Sequence, residues 1–346
     1  MSRKINKIIA FFLCFLLLLE QSGFAQVAEQ LDLSGMLNSL RSSFIQDKFR
    51  PLHLRYLSYD NVANNFQLFL DKGDLKNPQK TELEDAIKTL LKYFFIGITL
   101  PNESFWVNLR PDSPDNIIDP YLAQTDIGKI LLEVDLQLKK DTARFTSPET
   151  PEGKRYWELL YKKAEELFGY ENITIPTLTR PWIVPDEIII RETQDSAYIY
   201  KATLKVLLEE DYLKGTSTYN FKDERLKQLN EYSSQLIREL IIPKLTKEVN
   251  IAKRYASLRQ VYYSLIMAQW FKQRFYGKGG LYSWLINKKD LTGLVSKIPW
   301  DKNIYFKSYQ KSFKEGEYNL RDSIPTPYGS TIRSYMSGGM SLKVPI

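Results

Sequence analysis

The chain has one histidine, His53, and one cysteine, Cys14. A Ser-His-Asp arrangement would have to recruit His53, and a three-histidine zinc site cannot be built. His53 falls between Leu52 and Leu54 in an alternating stretch, so the plain reading is a half-exposed strand residue. A second group worth weighing is Arg110-Pro111-Asp112-Ser113-Pro114-Asp115-Asn116-Ile117-Ile118-Asp119-Pro120. Asp112, Asp115 and Asp119, stiffened by prolines, could act as general acid and base or as hard oxygen ligands for a cation. The spacing does not match an EF-hand loop, and aspartate near proline is also ordinary turn chemistry. In the segment from Thr179 to Glu187, Arg180 could grip a carboxylate or phosphate while Trp182 stacks on a sugar or base. The plainer alternative is a strand lead-in with Trp182 packed inside.

The last candidate is a property of many residues together. From Lys253 to Lys314 there are 13 lysines and arginines against only Asp290 and Asp301, a local net charge of +11 in a chain whose total is +7. Within it Arg259, Lys272, Arg274 and Lys278 interleave with Tyr262, Tyr263, Trp270 and Phe271. Cations for phosphates with aromatics for stacking would suggest nucleic acid in a cytoplasmic protein. The plainer reading is a solvated positive face, or one that docks on the protein's own acidic body.

These residues must be positioned by regular elements. Three stretches read as antiparallel hairpins: Leu52 to Tyr59 returning into Phe66 to Leu70, Phe95 to Leu100 returning into Phe105 to Leu109, and Glu187 to Glu192 returning into Ala197 to Leu207. The last strand alternates, which puts Tyr198, Tyr200, Ala202, Leu204 and Val206 on one face. Thr81 and Glu84 form a capping box for a helix, Thr125 caps a second, and Thr150-Pro151 opens a third that ends at Gly169. A long helical pattern runs from Lys222 to about Phe275, with a break expected at Pro243, which lacks the N–H needed to bond residue 239. The expected fold is α+β: an antiparallel sheet built of hairpins and backed by helices, followed by a helical basic region.

The first 25 residues carry the three parts of a secretory signal: Arg3, Lys4 and Lys7, then the apolar run from Ile8 to Leu19, then Gly23 and Ala25. Cleavage is expected after Ala25, which removes Cys14 and leaves an exported chain in the periplasm or outside the cell. The apolar run is shorter than the roughly 20 residues that span a bilayer, and no second long apolar stretch follows. Removing Arg3, Lys4, Lys7 and Glu20 lowers the net charge from +7 to +5. The expected organisation is signal 1–25, α+β domain 26–221, helical basic region 222–316, and a flexible tail 317–346 rich in Pro, Ser and Gly.

At Phe105-Trp106-Val107-Asn108-Leu109-Arg110-Pro111-Asp112, Thr125-Asp126-Ile127-Gly128 and Thr179-Arg180-Pro181-Trp182 the chain resembles exported bacterial proteins of unassigned function. The resemblance covers most of residues 80 to 315; it implies export and assigns no activity or site residue. Export argues against nucleic acid and points to an anionic envelope polymer or an acidic protein surface as partner. The expected function is a non-catalytic binding or scaffold protein, without metal or cofactor, using Arg259, Lys272, Arg274, Lys278 and Trp270, with Arg180 and Trp182 as a second grip. The alternatives are a carboxylate- or metal-dependent hydrolase of envelope glycan or peptide using Asp112, Asp115 or Asp119, and a structural subunit of an extracellular assembly.

Overall fold

The strands begin where the alternating pattern does. In the computed structural model, β1 (His53–Asp60) and β2 (Asn65–Asp71) pair antiparallel around a turn that Asp60 closes by accepting from the Val62 and Ala63 amides at 2.8 and 3.0 Å. The structure describes residues 48–60, 62–63, 65–76, 78–110, 114–169, 171, 173, 176–213, 223–275, 294, 301–314, 324–325, 331–336 and 339–345. All belong to one of the chain's two compact units, Lys48–Ile346; the signal segment and Lys278 lie outside the described residues.

Next come α1 (Lys80–Thr99), β3 (Trp106–Val107), α2 (Asp126–Thr146), α3 (Pro151–Phe168), β4 (Pro176–Thr179), β5 (Pro181–Glu192) and β6 (Ser196–Leu208). The helices α4 (Glu224–Leu236), α5 (Ile242–Ile251), α6 (Ala256–Phe275) and α7 (Lys302–Lys314) follow, then β7 (Ile324–Pro325), β8 (Thr331–Met336) and β9 (Gly339–Ser341). The main sheet has the order β2-β1-β6-β5-β9-β3 and is antiparallel except where β9 runs parallel to β5; β4, β8 and β7 form a smaller second sheet. The architecture is α+β. No helix among the described residues is long and apolar enough to cross a membrane.

α6 is buried nearly all round, from Leu258 to Phe275, because it lies against β1 and β6 on one side and α1 on the other. The close approach of α1 needs Gly97, where a Cβ would sit 2.6 Å from the Ala268 Cβ. Helix starts follow their caps: the Thr125 hydroxyl accepts from the Gly128 amide at 3.2 Å and Thr150 from Gly153 at 3.1 Å. α1 starts one residue before the expected box, and it is the Gln79 amide that donates to Glu82 at 3.1 Å. Before Pro243 the backbone widens into a π-turn, Ile237–Ile241, so the proline falls in the first turn of α5, where its missing N–H leaves no helical bond unmade.

Several expectations are corrected. Phe95 to Thr99 is the end of α1, not a strand: the run Tyr93 to Ile98 is apolar at every position, so periodicity cannot separate strand from helix there. β3 pairs instead with β9. The expected tail includes β9, whose Met340 is buried with the following Leu342 and Val344, and Gly339 fits where a Cβ would meet the Val107 carbonyl oxygen and the Trp182 ring. The alternation of β1 and β6 is interrupted by one irregularity in each, at Arg55 and at Tyr200. Tyr56, Tyr198 and Tyr200 therefore face outward, while Leu57, Ala197, Ile199, Leu204 and Val206 face the core.

Candidate functional site

Three of the cations expected to form a binding face, Arg259, Lys272 and Arg274, bond to the protein's own backbone. Arg259 is 7% exposed. Its Nη1 donates to the carbonyls of Val249 and Ala252 at 2.9 and 3.0 Å, and its Nη2 to Phe49 at 2.6 Å. It closes the carbonyl end of α5, where a cation is favoured, although burial lowers its pKa to about 10. Lys272 donates to the Leu100 carbonyl at 2.9 Å, just past the end of α1, and burial lowers its pKa too. Arg274 donates through Nε to the Gln194 carbonyl in the β5–β6 turn at 2.7 Å. Trp270 is buried, its indole donating to Glu192 Oε2 at 2.8 Å. α6 packs against β1, β6 and α1, and Arg259, Lys272 and Arg274 each bond a backbone carbonyl of a neighbouring segment.

Arg180 and Trp182 grip a carboxylate of their own chain. Arg180 Nη1 reaches Glu209 Oε1 at 2.7 Å and the Trp182 indole reaches Oε2 at 3.0 Å, with the Trp182 ring 5.3 Å from Tyr212. Asp119 Oδ1 accepts from the Tyr121 and Leu122 amides at 2.9 and 3.1 Å and so closes a turn. Asp115 is exposed on a single helical turn, Pro114–Asn116, and Asp112 lies outside the described residues. Among the described residues no three His, Cys, Asp or Glu side chains gather as metal ligands would.

The polar groups that do converge lie where β1 and β6 part. The two strands pair only through Tyr56–Tyr198, Leu57–Ala197 and Ser58–Ser196. Beyond that point the backbone groups of β6 are satisfied by helix side chains. Asn250 exchanges two hydrogen bonds with Leu204 at 3.0 and 2.6 Å, and Thr246 accepts from the Val206 amide at 3.0 Å. Arg55 spans the gap: its Nη1 donates to the Ile199 and Tyr200 carbonyls at 3.1 and 2.9 Å, and its Nε lies 3.3 Å from Asp71.

His53 sits at the same junction, buried, with its ring 4.3 Å from that of Tyr263. Burial, then the charges of Arg55 and Arg259, lower its pKa to about 4, so it is neutral at ordinary pH. Its Nε2 has no protein partner among the described residues.

A second buried polar centre lies on α2. Asp135 and Lys139 are fully enclosed and 2.7 Å apart; the Leu109 amide also donates to Asp135, and Lys139 lies 5.3 Å from the Tyr309 ring. Burial raises the Asp135 carboxyl and lowers the Lys139 ammonium, while their mutual attraction opposes both changes. Further along α2, Asp141 receives Arg254 at 2.7 Å and the Tyr255 hydroxyl at 2.8 Å, tying α2 to the turn that leads into α6. Sequence reasoning passed over both. The available signal was a charged i,i+4 pair on the same helical stripe as Leu131 and Leu138.

Comparisons with protein-family models, with curated proteins and with solved structures found no match.

Proposed function

We propose that this chain is an exported, non-catalytic binding protein that contacts an anionic partner, an envelope polymer or an acidic protein surface, through α7. One observation carries the reading. α7 contains Lys302, Lys307, Lys311 and Lys314 and no acidic residue, and Lys307 and Lys311 are exposed one turn apart. Phe306 and Tyr309 are buried beneath it, and the Tyr305 hydroxyl donates to Glu133 on α2 at 3.2 Å, so the outer face is held in place. Exposed Ile304 lies beside the lysines. Among the described residues of 253–314, Arg259, Lys272 and Arg274 on α6 bond backbone carbonyls while Lys307 and Lys311 on α7 are exposed. Export is supported by the signal-like composition of the first 25 residues.

The test is cosedimentation with anionic vesicles and, separately, retention on an acidic polysaccharide, at low and high salt. Binding should weaken as salt screens the lysines, and Lys307→Glu with Lys311→Glu should reduce it about tenfold or more at low salt. Binding indifferent to both salt and the double reversal overturns α7 as the contact. N-terminal sequencing of the mature product should begin at Gln26; a product retaining Met1 would overturn export.

A further inference from the structure

We propose that the outward face of the main sheet is a glycan platform that takes an acidic oligosaccharide. An antiparallel sheet with one face in water ordinarily shows polar residues there. Here one rung crosses four strands in register as Phe69, Tyr56, Tyr198 and Arg191: Tyr56 pairs with both Phe69 and Tyr198, and Tyr198 pairs with Arg191. Phe69 is 65% exposed, Tyr198 40%, and Tyr200, beside the rung, 56%. The Tyr56 and Phe69 ring centres are 5.0 Å apart, and neighbouring strands lie about 4.8 Å apart, so the three-ring row measures about 10 Å. That is the length of a short oligosaccharide, whose apolar C–H faces stack on aromatic rings.

The next rung supplies hydrogen-bonding groups. Gln67, Ser58 and Ser196 are in register with one another two residues along each strand, on the same face as the rings. At the end of the aromatic row, the Arg191 guanidinium lies 5.3 Å from the Tyr200 ring centre and has no ion-pair partner among the described residues. It is placed to meet one carboxylate of a sugar acid, by the fork geometry that suits arginine to carboxylates. A phosphate polymer fits less well, because the ring row ends on the single guanidinium of Arg191 and not on a run of cations, and phosphates offer no apolar C–H faces to the rings.

The platform is rigid before any ligand arrives. Arg55 bonds the carbonyls of Ile199 and Tyr200 from within the sheet and so pins the irregularity that turns Tyr200 outward. Rings already held in place cost little conformational entropy on binding. A second copy of the chain is the less suited occupant. Four half-exposed rings offer roughly 400 Å², against about 800 Å² per partner in a stable interface. This inference concerns a different face from α7 and does not depend on it.

The experiment is calorimetric titration of the mature chain with an oligogalacturonate and with a neutral cello-oligosaccharide of equal length. Phe69→Ala and Tyr198→Ala should each weaken oligogalacturonate binding about tenfold. Arg191→Ala should remove the preference for the acidic sugar. Because these side chains are exposed, circular dichroism and melting should stay near wild type, and the Lys307→Glu, Lys311→Glu double variant should bind the sugar normally. Failure of the wild type to bind either sugar overturns the proposal, as does affinity unchanged by Phe69→Ala and Tyr198→Ala. Loss of sugar binding in the α7 variant would reassign the site to α7. A wild-type dimer that Tyr198→Ala converts to monomer would replace the glycan with a second copy.

Discussion

His53 shows how strongly a single enclosure governs a side chain. It lies against the Tyr263 ring with Arg50, Arg55 and Arg259 around it, and of its neighbours Asp71 favours the charged form. A pKa of about 4 in the fold against 6.5 unfolded means that the unfolded chain takes the proton first as pH falls. The contribution is whole above 6.5 and is lost as pH falls through about 4, a total of roughly 3 kcal/mol. Asp71 resists burial through the Gly73 amide and Arg55, and Asp74 is held by the Arg50 amide; both lie below the ordinary carboxylate range and act at lower pH. His53→Gln should therefore flatten the decline of the urea midpoint between pH 6.5 and 4. An unchanged slope would show that His53 is not the group responsible. From the sequence His53 read as half exposed, because Leu52 and Leu54 mark an alternation but not whether both faces are covered. Tyr263 and Arg259, which cover it, come from a helix some two hundred residues further along the chain.

At the scale of elements, the contact between α1 and α6 is set by the smallest residues in it. At Gly97 a Cβ would lie 2.6 Å from the Ala268 Cβ and 2.9 Å from Leu265 Cδ2. Alanine would gain about 1 kcal/mol of helix propensity, but forcing extra atoms into a filled contact costs about 1–3 kcal/mol. Gly97→Ala should thus be destabilising overall in denaturant unfolding, and adding Ala268→Gly should return part of the loss; a stabilised single variant would mean the helices simply move apart. The helices themselves were legible, since Thr125, Thr150-Pro151 and Gly169 mark their ends. The strand faces were only half legible. A strict two-residue alternation placed Tyr198 and Tyr200 with Leu204 and Val206, whereas the irregularity at Tyr200 reverses the phase midway along β6. Nothing local in Tyr198 to Ala202 signals it, because what holds it open is Arg55, on another strand. The outward aromatic rung was hidden for that reason.

At the scale of the whole molecule, the question is which parts of the chain can be removed. The expected division at residue 221 separates residues that share one core: β1 and α1 pack on α6, and Asn250 and Thr246 on α5 satisfy the backbone of β6. The Pro-, Ser- and Gly-rich end read as a tail because composition records loss of bulk and not the place where bulk would collide. Gly339 is what allows β9 to lie between β3 and β5, against the Val107 carbonyl and the Trp182 ring. Met340, Leu342 and Val344 then fill the interior, and three such side chains contribute about 5–9 kcal/mol at the usual value per buried side chain. That is comparable with the whole stability of an ordinary domain, about 5–15 kcal/mol. A chain ending at residue 338 would also leave β3 without its strand partner and strip β5 of one neighbour. It should fail to give a cooperative unfolding transition, while Met340→Ala alone should cost about 2–5 kcal/mol and keep a single transition. A truncated chain that melts like the full one would show that β9 only rests on the sheet. The fold would then close without it, and the last residues would be free to serve a partner instead.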